Sequence, residues 1–274
     1  MNADTGYEKK LKEIRKNIFK IGYRSGVLFF ASCFSCVEIL YALYCRGALR
    51  LNPEEIVRDR FVMSKGQGAV ALYAVLAEAG LISKEELFSF NKPDSLISFE
   101  PRVGDNKSFT AMSCSLGRGL STAVGIAIAM KMNKESGKVF VLLGDGECQE
   151  GSVWEAAVSA VSLKLDNLVM ILDCNNLQKT RTVEETMGVV NWREKWEAFG
   201  WDVEEADGHN VDEMSDILKK PNEPCKPRLI IAHTVKGKGV SIMENEVKWH
   251  SRQPGKKGLQ IIKKELCISD SELE

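Results

Sequence analysis

The chain has no basic block and no excess of either charge. Its 37 Lys and Arg face 38 Asp and Glu over 274 residues, so the electrostatic footprint of a nucleic-acid-binding protein is missing. It also lacks a membrane-spanning run. The most apolar region, residues 26–44, is interrupted by Glu38, and its longest uncharged stretch is residues 25–37. That is short of the roughly 20 apolar residues a spanning helix needs, so a buried segment is expected there. The opening MNADTGYEKKLKEIRKN mixes both charge signs and does not read as a targeting peptide. The expectation is a cytoplasmic protein that binds neither membrane nor nucleic acid. Internal repeats and low-complexity tracts are absent too.

Eight cysteines are present, irregularly spaced, which is the pattern of free thiols in a reducing compartment. Cys33 and Cys36 form a C-x-x-C. No second C-x-x-C and no His pair accompanies it, so the metal reading gives way to two small buried side chains on or near a helix.

With 44% hydrophobic residues there is material for a large core, and the length suits one decorated α/β domain. Helical spacing is expected over residues 8–20, 35–46, 69–79, 116–132, 152–163, 192–199 and 212–219. Short apolar runs at 61–64, 138–143, 168–173, 201–205 and 228–233 read as strands, and residues 93–113 as a long loop. Nearly continuous apolar strands separated by helices imply a parallel sheet covered on both faces. The fold class is therefore α/β. A single domain over residues 1–274 is expected, with a helical extension at about 1–60 and a tail at about 244–274.

The chemistry concentrates in two segments. Gly144-Asp145-Gly146-Glu147 follows one expected strand and precedes a helix; Asp173-Cys174-Asn175-Asn176-Leu177 follows the next. Both would lie at carboxyl ends of parallel strands, where open α/β sheets bind ligands. The glycines let backbone approach an anion, and a following helix offers unpaired N–H groups to a phosphate. Asp145 and Asn175 supply the oxygens that Mg²⁺ prefers. Asp145 could instead simply cap a helix.

GDG followed some thirty residues later by Asn resembles the thiamine-diphosphate signature. The flanks are similar to transketolase, in particular to the N-terminal subunit of the split, two-subunit kind. GDGECQEGSVWEA, DNLVMILDCNNLQ, IRKNIFKIGYRSG, SCVEILYALY, DRFVMSKG, SLGRGLSTAVGIAIAMK, DGHN and HTVKGKGVSIMENEVKWH carry the likeness across nearly the whole chain. The resemblance implies a diphosphate-binding domain of the thiamine-diphosphate fold. It implies thiamine diphosphate as cofactor with Mg²⁺, or Ca²⁺ or Mn²⁺, held by Asp145, Asn175 and the Leu177 carbonyl. Gly146 would touch the diphosphate, Gly144 and Glu147 would belong to the cofactor site, Leu116 and Gly117 would lie near the aminopyrimidine, and Cys114 would be in contact range of the cofactor. Glu150 and Glu155 would lie in an interface network linking two cofactors, or form a solvated helix face. Lys65, Gln67, Lys236 and His250 would line the catalytic funnel, although the two lysines could be ordinary surface residues. His209 and His233 match no role and read as structural.

The half of transketolase that holds the aminopyrimidine has no match here. The resemblance thus implies a separate C-terminal-type partner subunit, in an α₂β₂ assembly, and the apolar residues 27–34 could form part of the hidden interface. Three family histidines also have no counterpart. Gln67 stands at one such position, Glu100 at another, and Phe29 or Val27 at the third. Cofactor binding would be kept and sugar recognition rewritten, towards a less anionic and more apolar pocket and a non-standard substrate. The implied reaction is transfer of a two-carbon ketol or acyl unit in a biosynthetic pathway. A keto-acid carboligase or decarboxylase subunit, and a non-catalytic cofactor-binding subunit, are the alternatives.

Overall fold

A computed structural model describes residues 6–51, 59–98, 109–113 and 115–273. In chain order the elements are α1 (Glu8–Ser25), α2 (Phe30–Phe34), α3 (Val37–Cys45), β1 (Arg60–Met63), α4 (Ala69–Glu78), α5 (Lys84–Phe88), β2 (Ala111–Met112) and α6 (Gly119–Met132). There follow β3 (Val139–Gly144), α7 (Gly151–Ser162), β4 (Leu168–Cys174), α8 (Val183–Met187), α9 (Trp192–Ala198), β5 (Asp202–Asp207), α10 (Val211–Lys219), β6 (Arg228–His233) and α11 (Lys256–Leu266). The strands form one sheet in the order β2-β1-β3-β4-β6-β5, and every pairing is parallel.

The central strands β3, β4 and β6 are buried on both faces, as their unbroken apolar sequences require, whereas the edge strand β5 alternates. Alternation along β3 divides the core. Phe140 and Leu142 join Phe61, Met63, Val169, Ile171 and Ile230 in a layer filled by α1, α3, α4 and α10. Val139, Val141 and Leu143 join Leu168, Met170, Leu172, Leu229 and Ile231 in a layer filled by α6, α7 and α9. Small residues let α6 approach closely: a Cβ on Gly119 would lie 2.3 Å from the Ser64 side chain. Among the described residues no helix is long and apolar enough to cross a membrane.

The strand order fixes where a site can form. The chain leaves β1 towards one edge and leaves β3 towards the other, so the winding reverses between these neighbours. A crevice opens at the carboxyl ends of the strands at such a reversal.

The expected strands and helices are present within a few residues of their expected ends. The expected loop at 93–113 contains the two-residue edge strand β2. Helix α6 starts at Gly119 rather than Leu116, and α2, α5, α8 and α11 were not expected. Most of the apolar stretch 27–34 packs inside the chain itself, and only Leu28, 36% exposed, and the half-buried Phe29 remain for an interface. Val27, Phe30, Ala31, Cys33 and Phe34 are at most 5% exposed and belong to the chain's own core. Cys33 and Cys36 are free, buried thiols, and burial raises Cys33 to about 11.

Candidate active site

The loops after β1, β3, β4 and β6, with the start of α2, enclose a cavity of about 350 Å³. Lys65 and Gln67 come from the loop after β1, and Gly144, Asp145, Gly146 and Glu147 from the end of β3 and its loop. Asn175, Leu177, Gln178 and Lys179 follow β4, and Lys236, His250 and Ser251 follow β6. Leu116 and Phe29 line the wall.

Asp145 is 2% exposed. One carboxylate oxygen accepts the Gly146 N–H at 2.7 Å, and the other accepts the Asn176 N–H, tying the β3 and β4 loops together. Burial and the nearby charge of Asp173 raise its pKa to about 6. The capping alternative is thus partly right, since Asp145 caps the short 3₁₀ turn Gly146–Gln149. Helix α7 begins only at Gly151, so the expectation that its N-terminus directly follows the glycines needs correction. The N–H groups beside Asp145 belong to that tight turn.

Asn175 accepts the Leu177 N–H at 3.2 Å and donates towards Asp173 at 3.4 Å. The Leu177 carbonyl accepts from the Lys236 ammonium at 2.9 Å. The same ammonium lies 2.8 Å from Nδ1 of His250. Burial, reinforced by Lys65, lowers Lys236 to about 8. Burial and then Lys236 lower His250 to about 4, leaving a neutral ring at pH 7. Phe29 meets His250 edge-on, with centroids 6.1 Å apart.

Neither lysine is a surface residue: Lys65 is 5% and Lys236 2% exposed. Lys65 pairs with Asp173 and donates to Ser35 at 2.9 Å. Burial opposes its charge, but the Asp173 carboxylate more than offsets this and raises its pKa. Asp173, fully buried, also accepts from Ser35 and Thr234. Sequence reasoning did not include it among the site residues; its position two before Asn175, at the end of an apolar strand, was the available signal.

Glu147 reaches the cavity with its carboxylate engaged by the chain itself. One oxygen accepts from the Ser64 hydroxyl and from the Gly117 N–H at 2.8 Å; the other accepts the Gly144 N–H at 3.3 Å. It locks the walls together. Glu150 and Glu155 are exposed at the start and on the outer face of α7, away from the cavity lining. Gln67 and Phe29, two of the positions where a family histidine has no counterpart, line the cavity, whereas Val27 is buried in the core. Glu100 and its neighbours Phe99 and Pro101, and Cys114, lie outside the described residues.

Among the described residues no three His, Cys, Asp or Glu side chains converge on a metal-sized point. A cation here would depend on one carboxylate, one amide and one carbonyl, an all-oxygen set suited to a hard divalent ion. The residues fit a metal–diphosphate group in two further respects. Gly146 carries no Cβ where one would press on the Gln178 side chain at 3.3 Å. The Gln178 Nε2 is a buried donor without a partner among the described residues, beside Gly146.

The family model for the transketolase thiamine-diphosphate-binding domain matches residues 31–273. The chain belongs to the transketolase family. It is 42% identical over 254 residues to an apulose-4-phosphate transketolase subunit of Phocaeicola vulgatus, covering 90% of this chain and 89% of that protein. It is 36% identical over 242 residues to a 6-deoxy-6-sulfo-D-fructose transketolase subunit of a Clostridium species, covering 87% and 88%. Human transketolase is 39% identical over 226 residues, which cover 81% of this chain and 36% of the human protein. Transketolase from Campylobacter jejuni superposes with a TM-score of 0.80 at 26% identity, covering all of this chain. The chain spans 45% of that transketolase.

Proposed function

We propose that the chain is the diphosphate-binding subunit of a thiamine-diphosphate- and Mg²⁺-dependent transketolase-type transferase, cytoplasmic and active with a separate partner subunit in an α₂β₂ assembly. The observation that carries this reading is the convergence of the Asp145 carboxylate, the Asn175 amide and the Leu177 carbonyl around one cavity at the strand tips. Its match to subunit-length relatives over most of their length supports the two-subunit form.

When bound, thiamine diphosphate supplies the centre that stabilises the carbanion left by carbon–carbon cleavage. The chain's own residues hold and orient. Asp145, Asn175 and Leu177 would hold the cation, and Gly146 with the Gln178 amide would admit the diphosphate. Glu147 fixes the wall through Ser64, Gly117 and Gly144. Lys236, lowered by burial to about 8, holds a proton at Nζ against the neutral ring of His250.

The relatives are named for substrates carrying a phosphate and a sulfo group. We assign this chain a ketose with an anionic end group, in a biosynthetic pathway. Lys65, Lys179 and Lys236 line the cavity beside the apolar Phe29 wall, which favours an anionic end group over the less anionic pocket expected from the sequence. The test mixes the chain with a transketolase C-terminal-type subunit, Mg²⁺ and thiamine diphosphate. Transfer from a ketose phosphate to an aldehyde supports the proposal. Release of CO₂ from pyruvate without ketol transfer, or cofactor binding without carbonyl chemistry, overturns it.

A further inference from the structure

A buried polar chain outside the cavity ends at its wall. Arg15 of α1 donates to Glu38 of α3 at 2.6 Å. The other carboxylate oxygen of Glu38 lies 3.0 Å from Nδ1 of His209. The opposite ring nitrogen, Nε2, lies 2.8 Å from the backbone N–H of Val235. A backbone N–H can only donate, so Nε2 is the acceptor and the ring proton sits on Nδ1, facing Glu38. The next residue is Lys236, which touches both the Leu177 carbonyl and His250.

The turn that carries His209 is pinned beside this segment. The Gly208 N–H donates to the His233 carbonyl at 2.8 Å, and a Cβ on Gly208 would lie 2.4 Å from the Thr234 methyl. The His209 N–H is held in turn by Asp207 at 2.9 Å. Burial pushes Glu38 up, but Arg15 and His209 hold it below the usual carboxylate range, so it presents a charged acceptor to the ring. The ring is oriented from one side and used from the other.

We propose that His209 is a positioning residue: with its tautomer set by Glu38, it fixes the Val235 peptide and thereby aims the Lys236 ammonium at Leu177 and His250. The role it gives Lys236 in the site rests on the function proposed above; the positioning itself does not. A histidine read from the sequence as structural becomes part of the support for the cation-binding loop.

The two ring nitrogens can be separated by substitution. His209→Gln can put an amide oxygen near the Nε2 position and keep the Val235 bond. His209→Asn can put an amide N–H near the Nδ1 position and keep the Glu38 bond only. The readout is acetylation of Lys236 in the full chain, mapped by mass spectrometry and normalised to exposed Lys164. A lost hydrogen bond of the usual net strength predicts Lys236 about three- to tenfold faster in the Asn variant, with the Gln variant within about twofold of wild type. Acceleration in both variants alike, in Gln alone, or in neither overturns the proposal. A second measurement needs no variant. Amide hydrogen exchange at Val235 in the wild-type chain must be protected to a degree comparable with β6, and fast exchange there also overturns it. Neither readout uses cofactor. A wild-type complex that binds no thiamine diphosphate would sink the proposed function and leave these results standing.

Discussion

Lys65, just after β1, and Asp173, at the end of β4, form an ion pair beneath the cavity with both side chains almost wholly removed from water. The carboxylate also takes the Ser35 and Thr234 hydroxyls, so one buried charge organises four segments. Such a pair is expensive to break from one side, because the survivor stays buried and uncompensated. Lys65→Met should cost about 3–5 kcal/mol in urea unfolding. Adding Asp173→Asn to the same chain should recover most of that loss. A Lys65→Met chain as stable as wild type would contradict the pairing.

Gly117 has φ +82°, and a Cβ there would lie 2.6 Å from Glu150 Cβ and from Ser152 Oγ. Its N–H also holds Glu147. Gly117→Ala should destabilise by roughly 1–3 kcal/mol through backbone strain alone, with the clash in addition. Gly125, inside α6, is the opposite case, since a Cβ there meets nothing. Gly125→Ala should stabilise by about 0.5–1 kcal/mol. Thermal unfolding of the two variants should shift in opposite directions.

Glu38 gives stability a defined pH dependence. Its folded pKa lies below the ordinary value of 4.5, because Arg15 and His209 outweigh burial. The contribution is therefore fully present above about 4.5 and is lost as pH falls through the lower folded value. Glu38→Gln should cost about 3–5 kcal/mol at pH 7, since Arg15 then stays buried without its counter-charge. It should also flatten the fall in stability below pH 4.5. Urea unfolding at a series of pH values measures both.

The thiols should divide by exposure. Cys225 and Cys267 are exposed, whereas Cys33, Cys36, Cys148 and Cys174 are buried. Burial raises Cys33 to about 11 and Cys174 to about 12, which suppresses their thiolates. Under native conditions an aromatic disulfide reagent should modify Cys225 and Cys267 well before the buried four. Early modification of Cys33 or Cys36 would contradict the packing of the C-x-x-C.

The sheet was readable because β3, β4 and β6 are apolar on both faces, and a strand covered twice cannot alternate. The edge strand β2 was not, since Ala111–Met112 is too short to show a period. Helix α8 does carry a local signal: Thr182 and Glu185 make a reciprocal capping box. The apolar residues 27–34 were legible as a stretch to be covered, but not as one covered mostly by the chain's own core with Leu28 left exposed, because hydrophobicity names no partner. In the site, Asp145 and Asn175 stood out through motif and spacing and Leu177 only through the family resemblance, and all three line one cavity. Asp173, Gln178 and His209 did not stand out. Their roles depend on contacts with Lys65, Gly146 and Val235, which are 108, 32 and 26 positions away.

The most direct test is Mg²⁺-dependent binding of thiamine diphosphate, followed by calorimetry, to the chain assembled with its partner subunit. Asp145→Ala removes the carboxylate of the oxygen set. The wild-type complex should bind only with the metal present, and the variant should lose at least about 100-fold in affinity, the scale on which even outer partners of a metal site act. Unchanged, metal-dependent affinity in the Asp145→Ala complex would contradict the assignment of the cation to the tips of β3 and β4.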